Sequence, residues 1–503
     1  MPTTSLGAAG VPIAYKLPGT YVQVLFGASP TGAGGGPRTV LLLGNMTSTG
    51  SATPDTTVYD LFSVDDAKTY FGQGSELHLA TQAAFAKAPL ARLKAIAVTE
   101  AAGAKATATA TFVGTAGGDG TLSVFIHGVQ IDVAIYNGDL IATMASNLSK
   151  AINAKGDLLN VSATSALGVT TITARHNGLR GNIIKIAYVK DASILTTTVT
   201  LSGAVLASGT GTDSLTAALA TAATQRYHYY APSSVDLAAL QAIQTQLKTM
   251  GGPLVGRRQQ LICASIDTQG NASTIQAGLN EERASLAWLN KGETLPCQIA
   301  AAWAAMRSTA EGTNLSVNLS SMNPDVVDLW PVVKAPRADA DWCKDSMASA
   351  ALDSGITPIQ IRPGDKHPYV ALSITTHSLD SGGNPDTRTL TTNYVTVPDA
   401  FADAFAAWVP SAFVGMKLRD DVQSGDDPLP PAVTTPGVIK SMWKSQARND
   451  FENAGHINNL DGDYAAWAFN LTNGNPNRVS ATMPITPAAW FTQTSAQVRQ
   501  QTP

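Results

Sequence analysis

Residues 39–44 read TVLLLG, a compact apolar run closed by a glycine, and this run fixes the fold class as that of a buried strand. The elements after it alternate in type. Ser63 precedes a helical stretch over 63–70 as its N-cap, with Asp65 and Asp66 in the first turn, where the helix dipole favours acids. After a turn at 71–74, residues 76–87 read as a second helix and 93–99 (LKAIAVT) as another strand. Strand, helix, strand is the pattern of an α/β layer.

Near Ala101 the composition changes. Ala and Thr alternate over 106–112, and residues 122–136 (LSVFIHGVQIDVAIY) give two alternating runs around His127-Gly128, a hairpin signal. Leu140, Met144, Leu148 and Ile152 recur every four residues along a helix expected at 139–154. Strands are expected at 169–174 and 183–189, joined by RHNGLRGN at 175–182. Gly- and Ala-rich turns bound this segment, and the α/β pattern resumes beyond it. Residues 101–211 therefore read as an inserted β-rich module, expected to face outward.

The core resumes with helices at 214–223, 235–250, 296–310 and 341–353, and strands at 227–231, 260–264, 284–289, 357–362 and 370–377. A helix at 399–408, a Pro-rich joint at 426–436 and a helix at 438–454 lead to a last strand. The expectation is an α/β (α+β) multidomain chain whose mixed-sheet core is flanked by helices. The core is divided into 27–100 and 212–380, and 381–485 forms a C-terminal domain. Arms at 1–26 and 486–503 complete the chain.

Both ends carry strands. Residues 17–26 (LPGTYVQVLF) place Tyr21, Val22, Gln23 and Val24 after a Pro-Gly break. Residues 479–485 (VSATMPI) set Val479, Ala481, Met483 and Ile485 in alternation with polar residues and Pro484. Two readings are open. The strands pair inside their own domain, or they join a neighbour's sheet edge and so link copies.

Charged residues make up 14% of the chain, well below the ~25% of an average soluble protein, which hints at surface buried in an assembly. A net charge of −4 offers no footprint for nucleic acid or an anionic membrane. Cys263, Cys297 and Cys343 are too far apart for a metal or redox pair and suit small core residues of a cytoplasmic protein. No signal peptide or membrane span is read, no cofactor is expected, and the histidines show no metal-binding spacing. The stretch GAGGGPRT at 32–39 lacks the Gly-Lys-Ser/Thr ending of a phosphate loop. The Asp-Ser-Gly pairs at 353–355 and 380–382 suit turns better than a proteolytic dyad. One charge pattern stands out: Lys440, Lys444 and Arg448 lie every four residues on one helix face. They are either a solvated face or a basic stripe that docks on an acidic partner.

In this order and spacing, several motifs resemble the tail sheath proteins of contractile-tailed bacteriophages, of the Mu-like type. They are Pro18-Gly19-Thr20-Tyr21-Val22, FGQGSEL at 71–77, RHNGLRGN at 175–182, TPGVIK at 435–440, GHINN at 455–459 and NPNR at 475–478. The resemblance spans nearly the whole chain. It implies a non-enzymatic subunit that polymerises as hexameric rings or a helical sheath around a tail tube. Contraction of that sheath would drive the tube through the host envelope for genome ejection. It further implies partners in other copies of the chain, the tube protein, and baseplate and tail terminator proteins, without direct nucleic acid or membrane contact. Localisation would be the virion tail, after assembly in the bacterial host cytoplasm. The strands at Tyr21–Val24 and at Val479, Ala481, Met483 and Ile485 would then be inter-subunit links, both donated to a neighbour's core sheet, and Lys440, Lys444 and Arg448 would face the tube. A phage-derived bacteriocin-like particle could use the same sheath, and a hydrolase is the remote alternative.

Overall fold

In a computed structural model, which describes residues 19–20, 38–421, 430–473 and 475–493, β1 (Thr39–Gly44) lies inside a large sheet. Val40 and Leu42 point to one face and Leu41 and Leu43 to the other, each at most 1% exposed. A strand buried on both faces reads as a continuous apolar run rather than an alternation, which is why TVLLLG carries no polar residue after its first. β2 (Val58–Leu61) was not anticipated; α1 (Val64–Phe71), α2 (Glu76–Lys87) and β3 (Arg92–Ala97) were. Ser63 caps α1 in a reciprocal box with Asp66. β3 pairs in parallel with β1, and β2 lies antiparallel outside β3. The expected strand at Tyr21–Val24 and residues 32–37 of the glycine-rich stretch lie outside the described residues.

The inserted segment contains β4 (Lys105–Val113), β5 (Gly120–Ile126), β6 (Val129–Ile135), α3 (Ile141–Ala154), β7 (Val161–Ala166), β8 (Val169–Asn177), β9 (Ile186–Lys190) and β10 (Thr198–Leu201). Its two sheets run β10-β4-β8-β7 and β6-β5-β9. The β5–β6 hairpin turns on His127 (φ 48°) and Gly128 (φ 75°) between the paired Ile126 and Val129, the left-handed pair that a two-residue hairpin requires. Met144, Leu148 and Ile152 are buried on one face of α3, but Leu140 is 61% exposed. Leu140 is the N-cap rather than a helical residue, so it leaves the line its spacing suggested. The segment leaves and rejoins the core side by side, with Thr210 N–H donating to the Ala104 carbonyl at 3.0 Å. Its apolar residues pack into one cluster with those of α2 and one face of the large sheet. Arg180 rivets the two together: its guanidinium meets Glu76 at 2.9 Å, and also Asp213 and Asn45.

The core continues through α4 (Thr216–Ala222), β11 (Tyr229–Pro232), α5 (Leu237–Met250), β12 (Gln260–Ser265), α6 (Gln269–Leu279), β13 (Ala284–Trp288), α7 (Pro296–Thr313), α8 (Asp345–Asp353), β14 (Thr357–Ile361) and β15 (Pro368–Val370). The sheet order is β15-β14-β13-β12-β11-β1-β3-β2, parallel except at its two edges. Helices α2 and α7 cover one face, and α4, α5, α6 and α8 the other. Of the strand expected at 370–377 only Val370 is regular, as the last residue of β15. Beyond it the backbone is tied by single bridges and hydroxyls instead, as where Thr375 Oγ1 donates to the Thr389 carbonyl at 2.8 Å. Ser and Thr compete for backbone partners in this way, which ends regular pairing.

The last part holds α9 (Asn393–Ala412), β16 (Lys417–Leu418), β17 (Val433–Thr434), α10 (Pro436–Ala447), α11 (Leu460–Ala466), β18 (Ala468–Thr472) and β19 (Asn475–Thr482). α9 starts ahead of the expected 399 and carries Pro398 and Pro410 within it. A proline inside a helix costs ~3 kcal/mol. Val395 and Val397, both 0% exposed, hold the turn before Pro398 in place by burial. Phe401, Phe405, Trp443, Phe451, Trp467 and Phe469 pack largely edge to face into a separate apolar centre.

Candidate functional site

The C-terminal strand is where the sequence located a link between copies. Thr435 caps α10 by accepting from Val438 N–H at 3.3 Å, and α10 sets Ile439, Trp443 and Ala447 into the aromatic centre. On that base lies a two-stranded sheet, β18 antiparallel to β19, with Phe469 opposite Ala481 and Leu471 opposite Val479. Val479, Ala481, Met483 and Ile485 all pack on the aromatic centre, as their alternation requires. They sit in their own subunit's hairpin and core. The chain after them stays there too: Trp467 Nε1–H donates to the Pro484 carbonyl at 2.8 Å, and Asp463 accepts from Thr486 N–H at 3.0 Å. Among the described residues no third strand joins β18 or β19. A two-stranded sheet with open edges is a template for further strands.

The stripe also lies on this domain. Lys440 and Lys444 fall on α10, and Arg448 opens the π turn Arg448–Glu452 that continues it. The Lys440 and Lys444 ammonium groups lie 4.4 and 4.1 Å from the centroid of the Tyr464 ring. Asp461 receives Lys444 at 2.7 Å and Arg448 at 2.6 Å, and Glu452 meets Arg448 at 2.7 Å. Lys444 first, then Arg448, holds the Asp461 carboxyl below its usual range. The three cations thus already have partners in their own subunit, supplied by α11. Sequence reading missed these partners, although Asn459 as N-cap, with Asp461 and Asp463 in a first turn, marks that helix.

The catalytic-looking motifs resolve into structural parts. Asp380 accepts from Gly382 and Asn384 N–H at 2.8 and 2.9 Å, a closed turn, and Asp353 ends α8. The three cysteines are buried, and burial pushes the Cys263 thiol up to about 12. Among the described residues no group of three or more His, Cys, Asp or Glu could hold a metal ion.

The described residues thus form a large α/β core, a riveted β module and a small aromatic domain that ends in a hairpin. In sequence the chain is similar to a tail sheath protein. Over 449 residues the chain is 26% identical to the Mu-like prophage FluMu tail sheath protein of Haemophilus influenzae, covering 87% of this chain and 88% of that one. No protein-family model matches. Among solved structures, the sheath tail protein Lin1278 of Listeria innocua is 16% identical, with 91% of this chain and 93% of that one covered and a TM-score of 0.48. A chain of the contracted helical sheath of the anti-feeding prophage is 10% identical, with 97% and 100% covered and a TM-score of 0.46.

Proposed function

We propose that this chain is the structural subunit of a contractile tail sheath, which polymerises around a tail tube and shortens to drive that tube through the target envelope. The observation that carries the reading is the sequence likeness to a tail sheath protein along nearly the full length of both chains. The β18–β19 hairpin, which no third strand joins among the described residues, supports it, because added strands would join copies through main-chain hydrogen bonds and act as hinges while rigid cores move. On this reading the hairpin, with Val479, Ala481, Met483 and Ile485, is the receiving platform, and the stretch containing Tyr21, Val22, Gln23 and Val24 is a donated strand. The partners are other copies of the chain, the tube, the baseplate and the terminator. The particle's tail is the location, after assembly in the host cytoplasm. Lys440, Lys444 and Arg448 remain candidates for the tube-facing stripe, with Asp461 as an internal competitor. The module at 101–211 faces outward. Electron microscopy of the purified protein tests the reading: wide hollow cylinders are expected, and discrete globular particles under all assembly conditions would overturn it.

A further inference from the structure

The turn between β7 and β8 is built against local preference. Leu167 (φ 49°) and Gly168 (φ 84°) join the paired Ala166 and Val169. A left-handed pair of this kind favours Asn or Asp at its first position, and the leucine there is both strained and 93% exposed. Leu140 repeats the anomaly. It is the N-cap of α3, 61% exposed and without a side-chain hydrogen bond, where Ser, Thr, Asp or Asn would satisfy a helix N–H. Ile141, the next residue, lies against Gly168: a Cβ there would meet Ile141 Cδ1 at 2.8 Å. Exposed Val113 and Tyr136 border the same pole, since Phe112 N–H donates to the Gly168 carbonyl at 2.9 Å and Asp139 N–H to the Tyr136 carbonyl at 3.0 Å. Leucines kept at two neighbouring, locally unfavourable positions mark a surface that contacts something else.

Charge narrows the partner. The pole carries Asp119, Asp139 and Asp191, which accept from the N–H groups of Asn137, Tyr136 and Thr121 and enter no ion pair among the described residues. The Lys190 ammonium beside them is turned to the carbonyls of Ile194 and Thr197. The other end of α3, about 20 Å away, has the opposite sign. Lys150 and Lys155 are exposed there and enter no ion pair among the described residues, and exposed Leu158 stands in the turn after them. Asp157 in that turn is neutralised by Lys68 at 2.7 Å.

We propose that the inserted modules of adjacent copies meet head to tail, the apolar, acidic pole of one seating on the Lys150, Lys155 and Leu158 end of the next. Two acidic poles facing each other would repel, so the contact joins unlike surfaces. A contact of that kind runs on through rings or filaments instead of closing a two-fold pair. The proposal deepens the reading of the chain as a polymerising subunit and rests on its self-association. It adds a link between copies that the terminal strands do not use.

Cysteine cross-linking of the full chain tests it. Cys263, Cys297 and Cys343 are buried, so Ala166→Cys beside Leu167 and Ala154→Cys beside Lys155, both at exposed positions, supply the reactive thiols. A mixture of these two variants treated with a short bismaleimide should give a covalent dimer in clear excess over either variant alone. Adding Leu167→Asn to the Ala166→Cys chain should lower that yield about tenfold. Thermal stability should be equal or higher, because asparagine suits the turn. Adding Lys150→Glu and Lys155→Glu to the Ala154→Cys chain should lower the yield about threefold at low salt. Absence of the mixed dimer, an equal yield of dimer from Ala166→Cys alone, or an unchanged yield with Leu167→Asn overturns the proposal. Electron microscopy of the same samples keeps the two readings apart. Cylinders without mixed dimer overturn this contact alone, whereas mixed dimer without cylinders upholds the contact and counts against the sheath.

Discussion

The Lys444 ammonium lies 2.7 Å from the Asp461 carboxylate, so the most conspicuous cation of the stripe is committed within its own subunit. Asp461 is largely exposed and its pairs are open to solvent, where ion pairs add little stability. Asp461→Asn should therefore melt at nearly the same temperature as the unaltered protein. If the stripe grips a tube, this variant frees Lys444 and Arg448, and sheath assembly on tubes at low salt should become stronger. Replacing Lys440, Lys444 and Arg448 by Glu should block it. Unchanged assembly in both variants would make the stripe a solvated helix face braced by α11.

Trp443 is 0% exposed at the centre of the C-terminal domain, against Phe401, Phe405 and Phe451. Trp443→Ala should cost ~3–5 kcal/mol, the usual range for a large aromatic removed from a core. The loss should fall on this domain first, since its apolar centre is separate from those of the large sheet. Denaturation followed by near-UV circular dichroism should show an early transition absent from the unaltered chain.

Much of the fold is legible in sequence for stated reasons. TVLLLG carries its double-sided burial in composition, and His127-Gly128 is a turn that only a left-handed pair can make. Helix α6 was hidden by Gly270, Asn271 and Gly278, which oppose helix locally and are overridden by the burial of Ala272 and Leu279. The stripe was legible as spacing, but its partners Asp461 and Tyr464 lie on another helix, and contact across elements leaves no periodic trace. Likewise Arg226 and Arg258 both meet Asp403 of α9, a contact between distant elements that no local spacing shows.

Arg180 holds the inserted module to the core against Glu76 and Asp213, whose side chains are 6% and 5% exposed. Arg180→Ala would leave two buried carboxylates without their cation, which typically costs ~3–5 kcal/mol. Chemical denaturation should show a loss of this size. Excising residues 104–209 behind a short Gly/Ser bridge is geometrically feasible, because Ala104 and Thr210 are already hydrogen bonded. The excised protein should form tubes at reduced thermal stability, recovered in part by adding Glu76→Gln and Asp213→Asn. Failure of both forms to fold would make the module part of the core.

Acid sensitivity follows from His127. Its ring is buried, accepts from Lys185 N–H at 3.1 Å through Nδ1, and has its pKa pushed down to about 3 by burial and then by Lys185. In the unfolded chain the ring takes a proton near pH 6.5, whereas in the folded chain it stays neutral until about 3. The unfolded state therefore binds more protons in this window, and stability present above about pH 6.5 is lost as pH falls through it, at ~1.4 kcal/mol per unit for this one group. His127→Asn keeps a residue that tolerates the positive φ and removes the titration. Its unfolding free energy should fall less steeply between pH 6.5 and 4 than that of the unaltered protein. Parallel curves would show that His127 already titrates normally.

Deleting residues 1–26 should give a folded subunit that does not polymerise. The apolar centres of the described residues are built from residues 40–490, so circular dichroism and thermal melting should change little. What the deletion removes is the strand that would be donated. β18 and β19 form a two-stranded sheet with no third strand among the described residues, and a hairpin alone is marginal in water. Its stability here comes from Phe469, Val479, Ala481 and Met483 lying on the aromatic centre, which keeps the platform folded while its edges await partners. Sedimentation should then find the truncated chain dispersed under conditions where the full chain forms cylinders. A truncated chain that still built long tubes would transfer the linking role to another surface, and a truncated chain that lost its fold would place the arm in its own subunit's core.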